Sequence, residues 1–185
     1  MTRSNHTRPV ILGFLVDRPR SGYDIRKAVE ASLGNFWNES FGQIYPALKE
    51  LEAQGLVRRE AGAGEGRRQV YAITPAGRAV FDAWLREPAT PHVYRVETLV
   101  KVFFAPPAGP EVARGHIARF RAEHSALLAK YRGIAARLER DCAGLEALPY
   151  WLLTVDCGLA IGQAYVDWCD RAEAKLAVLE EGNHG

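Results

Sequence analysis

The chain has 185 residues, of which 48% are hydrophobic and 25% are charged, and its formal net charge at pH 7 is only +2. This balance is typical of a globular protein with one large or two small domains. No apolar run approaches the roughly 18 to 20 residues of a membrane-spanning helix. The apolar stretch at residues 10–16 lacks a following small-residue cleavage site, so it predicts a core helix and not a signal peptide.

The residue types that commonly carry catalysis or bind metals are scattered along the chain. Cys142, Cys157 and Cys169 lack paired spacing, which predicts buried thiols in a reducing cytoplasm. None of the five histidines pairs with a cysteine at the spacing of metal ligands. Paired carboxylates, a nucleophile elbow and a phosphate loop are also lacking. We therefore expect a cytoplasmic protein with no cofactor, no metal site and no enzymatic activity.

The first 55 residues predict three helices. Residues 10–16 have a helical pattern, and Ser21 is placed to cap a second helix that Gly34 ends. Ser40 and Gln43 then stand three residues apart, which is the spacing of a capping box at the start of a third helix.

The third helix carries one narrow apolar stripe, formed by Ile44, Leu48 and Leu51. Pro46 follows Tyr45 close to the predicted start, although proline lacks an amide N–H and crowds the carbonyl four residues earlier. That carbonyl belongs to Gly42. Either the first turn is loosened, or the regular helix begins after Ser40.

The hydrophobic period changes after residue 55. Residues 56–74 predict two short strands around a glycine-rich tip at residues 62–66. Thr74 is placed to cap a fourth helix that has Pro75 at its first position and ends near Arg86.

The second half of the chain predicts longer helices after a linker at residues 87–92. A helix at residues 93–105 is broken by prolines at residues 106–110. The next helix carries a heptad seam: Ile117, Phe120, His124, Leu127, Tyr131, Ile134 and Leu138. The last helix, at residues 149–180, is apolar on two sides, so it predicts one partner helix within the chain and another from a second subunit. Gly158 and Gly162 predict a close approach of a neighbouring helix.

The order helix, helix, helix, two-stranded ribbon, helix is that of a winged helix-turn-helix. The predicted fold is therefore mainly α, with an N-terminal winged helix-turn-helix and two-stranded β wing at residues 1–88 and a C-terminal domain of long antiparallel helices at residues 89–185. In such a domain the third helix buries one face and leaves the other free for a DNA major groove.

Three segments resemble the PadR family of transcriptional regulators. They are "SGYDI" at residues 21–25, "FGQIYPALKELEAQGLV" at residues 41–57 and "RRQVYAITPAGR" at residues 67–78. The resemblance covers about residues 8–88, and the two long helices resemble the C-terminal dimerisation domain of larger PadR-like proteins. It implies a homodimer that binds a palindromic operator in double-stranded DNA, usually as a repressor, and that a small aromatic or amphipathic effector releases. It also associates the Tyr45 position with DNA contact and Pro46 with an outward-facing tyrosine.

Candidate DNA-binding residues lie on the second helix, the third helix and the wing. They are Tyr23, Lys27, Ser40, Gln43, Tyr45, Pro46, Lys49, Arg67 and Arg68. Glutamine can pair bidentately with adenine, whereas lysine and arginine bind phosphates. The alternatives are a core position for Tyr45 under the first helix, a capping role for Gln43 and solvated surface charges elsewhere.

Aromatic residues of the last helix, Trp151, Tyr165 and Trp168, are candidates for an effector pocket, or they form plain helix or dimer core. His124 lies in an apolar seam, where a polar residue can fix the register between helices. The alternative function is a winged helix that binds a protein and not DNA. The salt dependence of binding separates the two functions, since contacts to phosphates weaken steeply as salt rises.

Overall fold

The computed structural model describes residues 6–34, 36–37, 41–60, 69–91 and 95–182, with side chains except at Phe41 and residues 179–182. The chain divides into two compact units, Met1–Pro91 and His92–Gly185. Sequence placed the boundary between residues 88 and 89.

The described residues of the N-terminal unit form four α-helices and three strands. They are α1 (Thr7–Leu15), β1 (Arg20–Ser21), α2 (Gly22–Ser32), α3 (Ile44–Ala53), β2 (Val57–Glu60), β3 (Val70–Ile73) and α4 (Pro75–Arg86). β3 is the central strand of an antiparallel sheet and pairs with β1 on one side and β2 on the other. The two predicted wing strands are confirmed. β1 was missed because two residues are too few to show an alternating pattern.

One core holds these helices and the sheet together. Its buried members come from α1, α2, α3 and the strands: Ile11, Leu12, Leu15, Ile25, Val29, Ile44, Ala47, Leu48, Leu51, Val57 and Tyr71. The predicted α3 stripe of Ile44, Leu48 and Leu51 is confirmed, because each of these side chains is at most 3% exposed. Burying a side chain of this size stabilises the fold by about 1.5–3 kcal/mol, so these residues fix which face of α3 points inward.

Two predicted helix caps are confirmed. The Ser21 hydroxyl accepts a hydrogen bond from the Asp24 amide at 3.2 Å, and the Asp24 carboxylate accepts one from the Ser21 amide at 3.3 Å. Thr74 caps α4 by accepting from the Gly77 amide at 3.1 Å, and Pro75 is the first helical residue. These bonds satisfy amides that have no partner inside their helices.

The structure decides between the two predicted alternatives for the start of α3, and the regular helix begins after Ser40. Phe41–Gln43 form a single 3₁₀ turn, and the regular helix begins at Ile44. Gln43 occupies the cap position without a side-chain cap bond, and Ser40 lies outside the described residues. Pro46 is therefore the third helical residue, where an amide has no acceptor within the helix. The later start is the alternative that removes the conflict with Pro46.

The C-terminal unit consists of α5 (Glu97–Phe103), α6 (Pro110–Asp141) and α7 (Leu148–Gly182). The predicted break at residues 106–110 is confirmed by a 3₁₀ turn at Pro106–Ala108 and by Pro110, which begins α6. The long helices α6 and α7 pack against each other as an antiparallel pair. α5 contributes Val102 to the cluster around Ile117, Phe120 and Cys169.

The predicted seam of α6 is correct at Ile117, Phe120 and Tyr131, which are buried. It is wrong at Leu127, which is only partly buried, because Leu128 takes the fully buried place. An ideal α-helix drifts by about 20° per heptad from a strict seven-residue repeat, and the shift from Leu127 to Leu128 follows from this drift.

The predicted close approach at the α7 glycines is confirmed. A Cβ at Gly158 would lie within 2.8 Å of three atoms of the Tyr131 ring, and one at Gly162 would lie 3.0 Å from Leu128. The prediction of three buried cysteines is right only for Cys169, since Cys142 is partly buried and Cys157 is exposed. Burial raises the pKa of the Cys169 thiol, which keeps it protonated and unreactive.

One side of α7 carries apolar residues that the described part of the C-terminal unit leaves exposed. We call Tyr150, Leu153, Cys157 and Ile161, spaced by three, four and four residues, the α7 stripe. Tyr150, Leu153 and Ile161 are 71%, 66% and 52% exposed. Their spacing puts them on one face of the helix, away from the buried Val155, Val166 and Cys169.

Candidate nucleic-acid interface

The outer face of α3 presents the side chains that sequence predicted there. Gln43, Tyr45, Pro46 and Lys49 are all exposed, while the opposite face of the helix is buried in the core. Tyr45 is 53% exposed, so the alternative of a core aromatic under α1 is wrong. From the cap position into the second turn of α3, the exposed side thus presents an amide, a phenol and an ammonium group.

Tyr45 rests against the first residue of α2. A Cβ built at Gly22 would lie 2.8 Å from Cε1 and 3.2 Å from Cδ1 of the Tyr45 ring. The beginnings of α2 and α3 therefore meet at this contact.

The other two candidates on α2 lie near this contact and interact with each other. Tyr23 follows Gly22 and is 36% exposed. Lys27, one turn further along, places its Nζ 4.9 Å from the centroid of the Tyr23 ring, which is within the range of a cation–π contact. Tyr23 thus lies next to the contact between Gly22 and Tyr45, and its ring interacts with the ammonium group of Lys27.

The carboxylates of α3 are paired with arginines from other elements. Glu50 binds Arg8 of α1, and Glu52 binds Arg59 of β2 with 2.7 Å between Oε2 and Nη2. The hydrogen bond to Glu52 raises the pKa of the Arg59 guanidinium, which therefore stays charged at any working pH. Exposed pairs of this kind add little stability. They do offset the negative charge that α3 would otherwise present to a polyanion.

Sequence reasoning missed the roles of Arg8 and Arg59. Arg8 lies 42 residues before Glu50, and no periodic pattern links residues so far apart. Arg59 lies seven residues after Glu52 and on the next element of the chain, so helical spacing does not link this pair either. Its neighbour Arg58 is also paired, with Glu60 at 2.8 Å. Arg67 and Arg68, like Ser40, lie outside the described residues and remain predictions.

The three aromatic candidates of the C-terminal unit do not come together. Tyr165 and Trp168 pack edge-on against Phe120, with centroid distances of 5.0 and 5.9 Å. Trp151 lies 14 residues before Tyr165, about 21 Å along the helix axis, and is 42% exposed.

His124 joins the cluster around Phe120. Its ring centroid lies 4.0 Å from that of Phe120 and 4.5 Å from that of Tyr165. Its Nδ1 lies 2.9 Å from the Phe120 carbonyl oxygen. Tyr165, Trp168, Phe120 and His124 form what we call the α6–α7 aromatic cluster.

In the part of the chain that the structure describes, no three His, Cys, Asp or Glu side chains are grouped so that they could hold a metal ion. No helix there is both long enough and apolar enough to span a membrane.

Comparison with known proteins identifies the family. The profile of the transcriptional regulator PadR-like family matches residues 11–83, and the profile of the virulence activator alpha C-terminal region matches residues 94–177. The probable transcriptional regulator Rv1176c of Mycobacterium tuberculosis is 30% identical over 179 residues, which cover 90% of this chain and 95% of that protein. The chain belongs to the PadR-like family. The resemblance that the sequence motifs indicated is therefore confirmed.

Other PadR-like relatives match over nearly their whole length. The negative transcriptional regulator PadR of Bacillus subtilis is 26% identical over 178 residues, which cover 92% of this chain and 96% of that protein. Its structure in complex with p-coumaric acid matches with a TM-score of 0.73 at 25% identity, over 94% of this chain and 98% of that one. The structure of the Vibrio cholerae virulence activator AphA matches with a TM-score of 0.75 at 32% identity, over 94% and 99%. Rv1176c and the Bacillus subtilis protein are both named as transcriptional regulators.

Proposed function

We propose that this protein is a cytoplasmic, homodimeric PadR-like regulator that binds a palindromic operator with α3 of each subunit. The exposed face of α3, with Gln43, Tyr45 and Lys49 beside paired carboxylates, is the observation that carries the proposal. It has the groups that major-groove binding needs: an amide for base edges, and a phenol and an ammonium group for phosphates.

The dimer is proposed to form through the C-terminal unit, where the exposed α7 stripe would be buried against the second subunit. A dimer with two-fold symmetry presents two copies of α3, and a symmetric pair of reading helices matches an operator with two-fold symmetry. In helix-turn-helix dimers the half-sites lie about 34 Å apart, which is one turn of DNA. We propose repression as the outcome of binding, since the Bacillus subtilis relative is named a negative regulator. AphA, in contrast, is named an activator, so a promoter-reporter assay is needed to decide between repression and activation.

The first experiment measures binding of fluorescent DNA from the region upstream of the protein's own coding sequence, by anisotropy, across a salt series. We expect site-preferring binding that weakens steeply as salt rises, because phosphate contacts release counterions. An unrelated DNA of the same length is the control. If neither this DNA nor a random library binds at low salt, the winged helix serves a protein partner and the proposal is wrong.

Two substitutions on α3 separate the roles of its side chains. Tyr45→Phe is expected to weaken operator binding about tenfold, as loss of one hydrogen bond to a charged phosphate does. Lys49→Ala is expected to weaken binding to operator and unrelated DNA alike and to lower the salt slope by about one. Lys101→Ala, which removes an exposed lysine from α5, is the matched control. Unchanged affinity of Tyr45→Phe at every salt concentration would exclude the phosphate role of its hydroxyl.

The effector proposal rests on the α6–α7 aromatic cluster and on the relative solved with p-coumaric acid. We propose that a small aromatic or amphipathic molecule binds the C-terminal unit and favours a dimer state with lower operator affinity. Calorimetric titration with p-coumaric acid tests this. A pocket at the cluster predicts that Trp168→Phe weakens binding and Trp151→Phe does not. The reverse result would move the pocket towards the start of α7, and no heat with a panel of aromatic acids would leave no support for an effector of this class.

A further inference from the structure

Gly22 is a glycine for reasons of space and not of backbone conformation. It is the first residue of α2 and is buried. Among the described glycines, only Gly55, Gly109 and Gly144 have positive φ values. Alanine could therefore adopt the backbone of Gly22 without strain, and it is the better helix former.

A side chain at Gly22 is prevented by the Tyr45 ring, which packs directly against this position. A Cβ there would lie 2.8 and 3.2 Å from two ring carbons of Tyr45 and 3.1 Å from Cδ1 of Leu48. Carbon atoms pack best at about 3.5–4.0 Å, so a methyl group would displace at least one of these neighbours. Leu48 is 1% exposed and sits in the core, whereas Tyr45 is 53% exposed and has solvent to move into. The tyrosine is the neighbour that moves.

We propose that Gly22 is a positioning residue for DNA binding, which sets the direction of the Tyr45 side chain through the absence of a Cβ. This inference rests on the proposed function, in which the Tyr45 hydroxyl binds the operator. The segment Ser21–Ile25 and the Tyr45–Pro46 pair then act together on the position of the Tyr45 side chain. Pro46 restricts the backbone next to Tyr45, and Gly22 provides the surface against which the Tyr45 ring packs.

A small displacement of the ring matters because a hydroxyl–oxygen hydrogen bond tolerates only about 2.5–3.0 Å between its heavy atoms. A shift of the ring edge by roughly the missing clearance, about 0.7–1 Å, would carry the hydroxyl out of that range. Gly22→Ala should therefore act like removal of the hydroxyl, although residue 22 itself need not contact DNA.

The test compares Gly22→Ala in two backgrounds, the parent and Tyr45→Phe, using the full chain and operator DNA. Phenylalanine keeps the ring, and with it the same clash, but has no hydroxyl to misdirect. We expect Gly22→Ala to weaken operator binding about tenfold in the parent and by less than about twofold in Tyr45→Phe. Gly115→Ala on α6, where nothing lies within 4 Å of the added Cβ, is the matched control and should leave affinity unchanged.

Melting temperature and ring contacts complete the test. We expect Gly22→Ala to melt within about 3 °C of the parent, since the displaced ring is already half exposed. Nuclear Overhauser contacts between the Tyr45 ring protons and the Gly22 α-protons should be present in the parent. Absence of these contacts would overturn the inference, and so would unfolding of Gly22→Ala in both backgrounds, because the inference requires the ring to move at small cost.

Affinity outcomes separate this inference from the proposed function. An equal loss of affinity in both backgrounds, or no loss in the parent, would overturn the positioning role while operator binding by the parent stands. If Tyr45→Phe binds as tightly as the parent, the hydroxyl makes no contact with DNA. The positioning role then fails together with that part of the proposed function.

Discussion

Gly158→Ala is expected to lower the free energy of unfolding of the C-terminal unit by about 2 kcal/mol, whereas Gly133→Ala should raise it by about 0.5–1 kcal/mol. The chemical change is the same at both positions. At Gly158 the added methyl group meets the ring of Tyr131, which is 5% exposed and cannot move into solvent. At Gly133 nothing lies within 4 Å, and alanine only improves helix propensity.

Differential scanning calorimetry of the full chain measures this contrast. For a unit of this size, 2 kcal/mol corresponds to a fall of about 10 °C in melting temperature. Tyr131→Leu should partly restore the stability of Gly158→Ala, because the smaller leucine side chain leaves room for the added methyl group. A melting temperature of Gly158→Ala that is as high as that of Gly133→Ala would show that α6 and α7 are not held together at this contact.

Glutamate at two positions of the α7 stripe, Leu153→Glu with Ile161→Glu, is expected to convert the proposed dimer to a monomer and to reduce operator affinity at least a hundredfold. In a two-fold interface each substitution occurs twice, so four apolar side chains are lost. Each contributes about 1.5–3 kcal/mol when fully buried. A monomer also loses the second α3 and with it the simultaneous binding of both half-sites.

Analytical ultracentrifugation and operator anisotropy together check this result. The matched control is Ala174→Glu with Ala177→Glu, which adds the same charges at exposed positions of α7 outside the stripe. The control should remain a dimer with the affinity of the parent. If the stripe variant stays dimeric, the subunit interface lies on another surface. The exposed Phe103 and Phe104 at the end of α5 are then the next residues to substitute.

The inner face of α3 could be predicted from sequence, and its beginning could not. Ile44, Leu48 and Leu51 repeat with the period of a helix that buries one side, and that pattern is local. The Ser40–Gln43 spacing is a local pattern too, but it did not mark the start of the helix. A 3₁₀ turn lies at Phe41–Gln43, and the regular helix begins only after it. Only Pro46 carried information about the true start, because its missing amide is harmless in the first turn and costly later.

The contacts that organise the candidate interface left no trace in the sequence pattern. Arg8 reaches Glu50, and Gly22 accommodates Tyr45, across segments whose separation depends on how the helices pack. The spacing of Trp151, Tyr165 and Trp168 suggested one aromatic group. The structure instead gathers Tyr165 and Trp168 around Phe120, because residues 14 apart on one helix cannot meet at a single pocket.

The late start of α3 limits how much sequence the protein can read with this helix. Its exposed face extends from Tyr45 to Ala53, about 12 Å at 1.5 Å per residue. Base pairs are stacked every 3.4 Å or so, and α3 therefore spans about four of them. The proposed dimer would contact about eight base pairs directly with its two copies of α3, which is too few to define a unique site in a genome of millions of base pairs. The remaining discrimination must come from half-site spacing, from the wing and from the ease with which the operator bends.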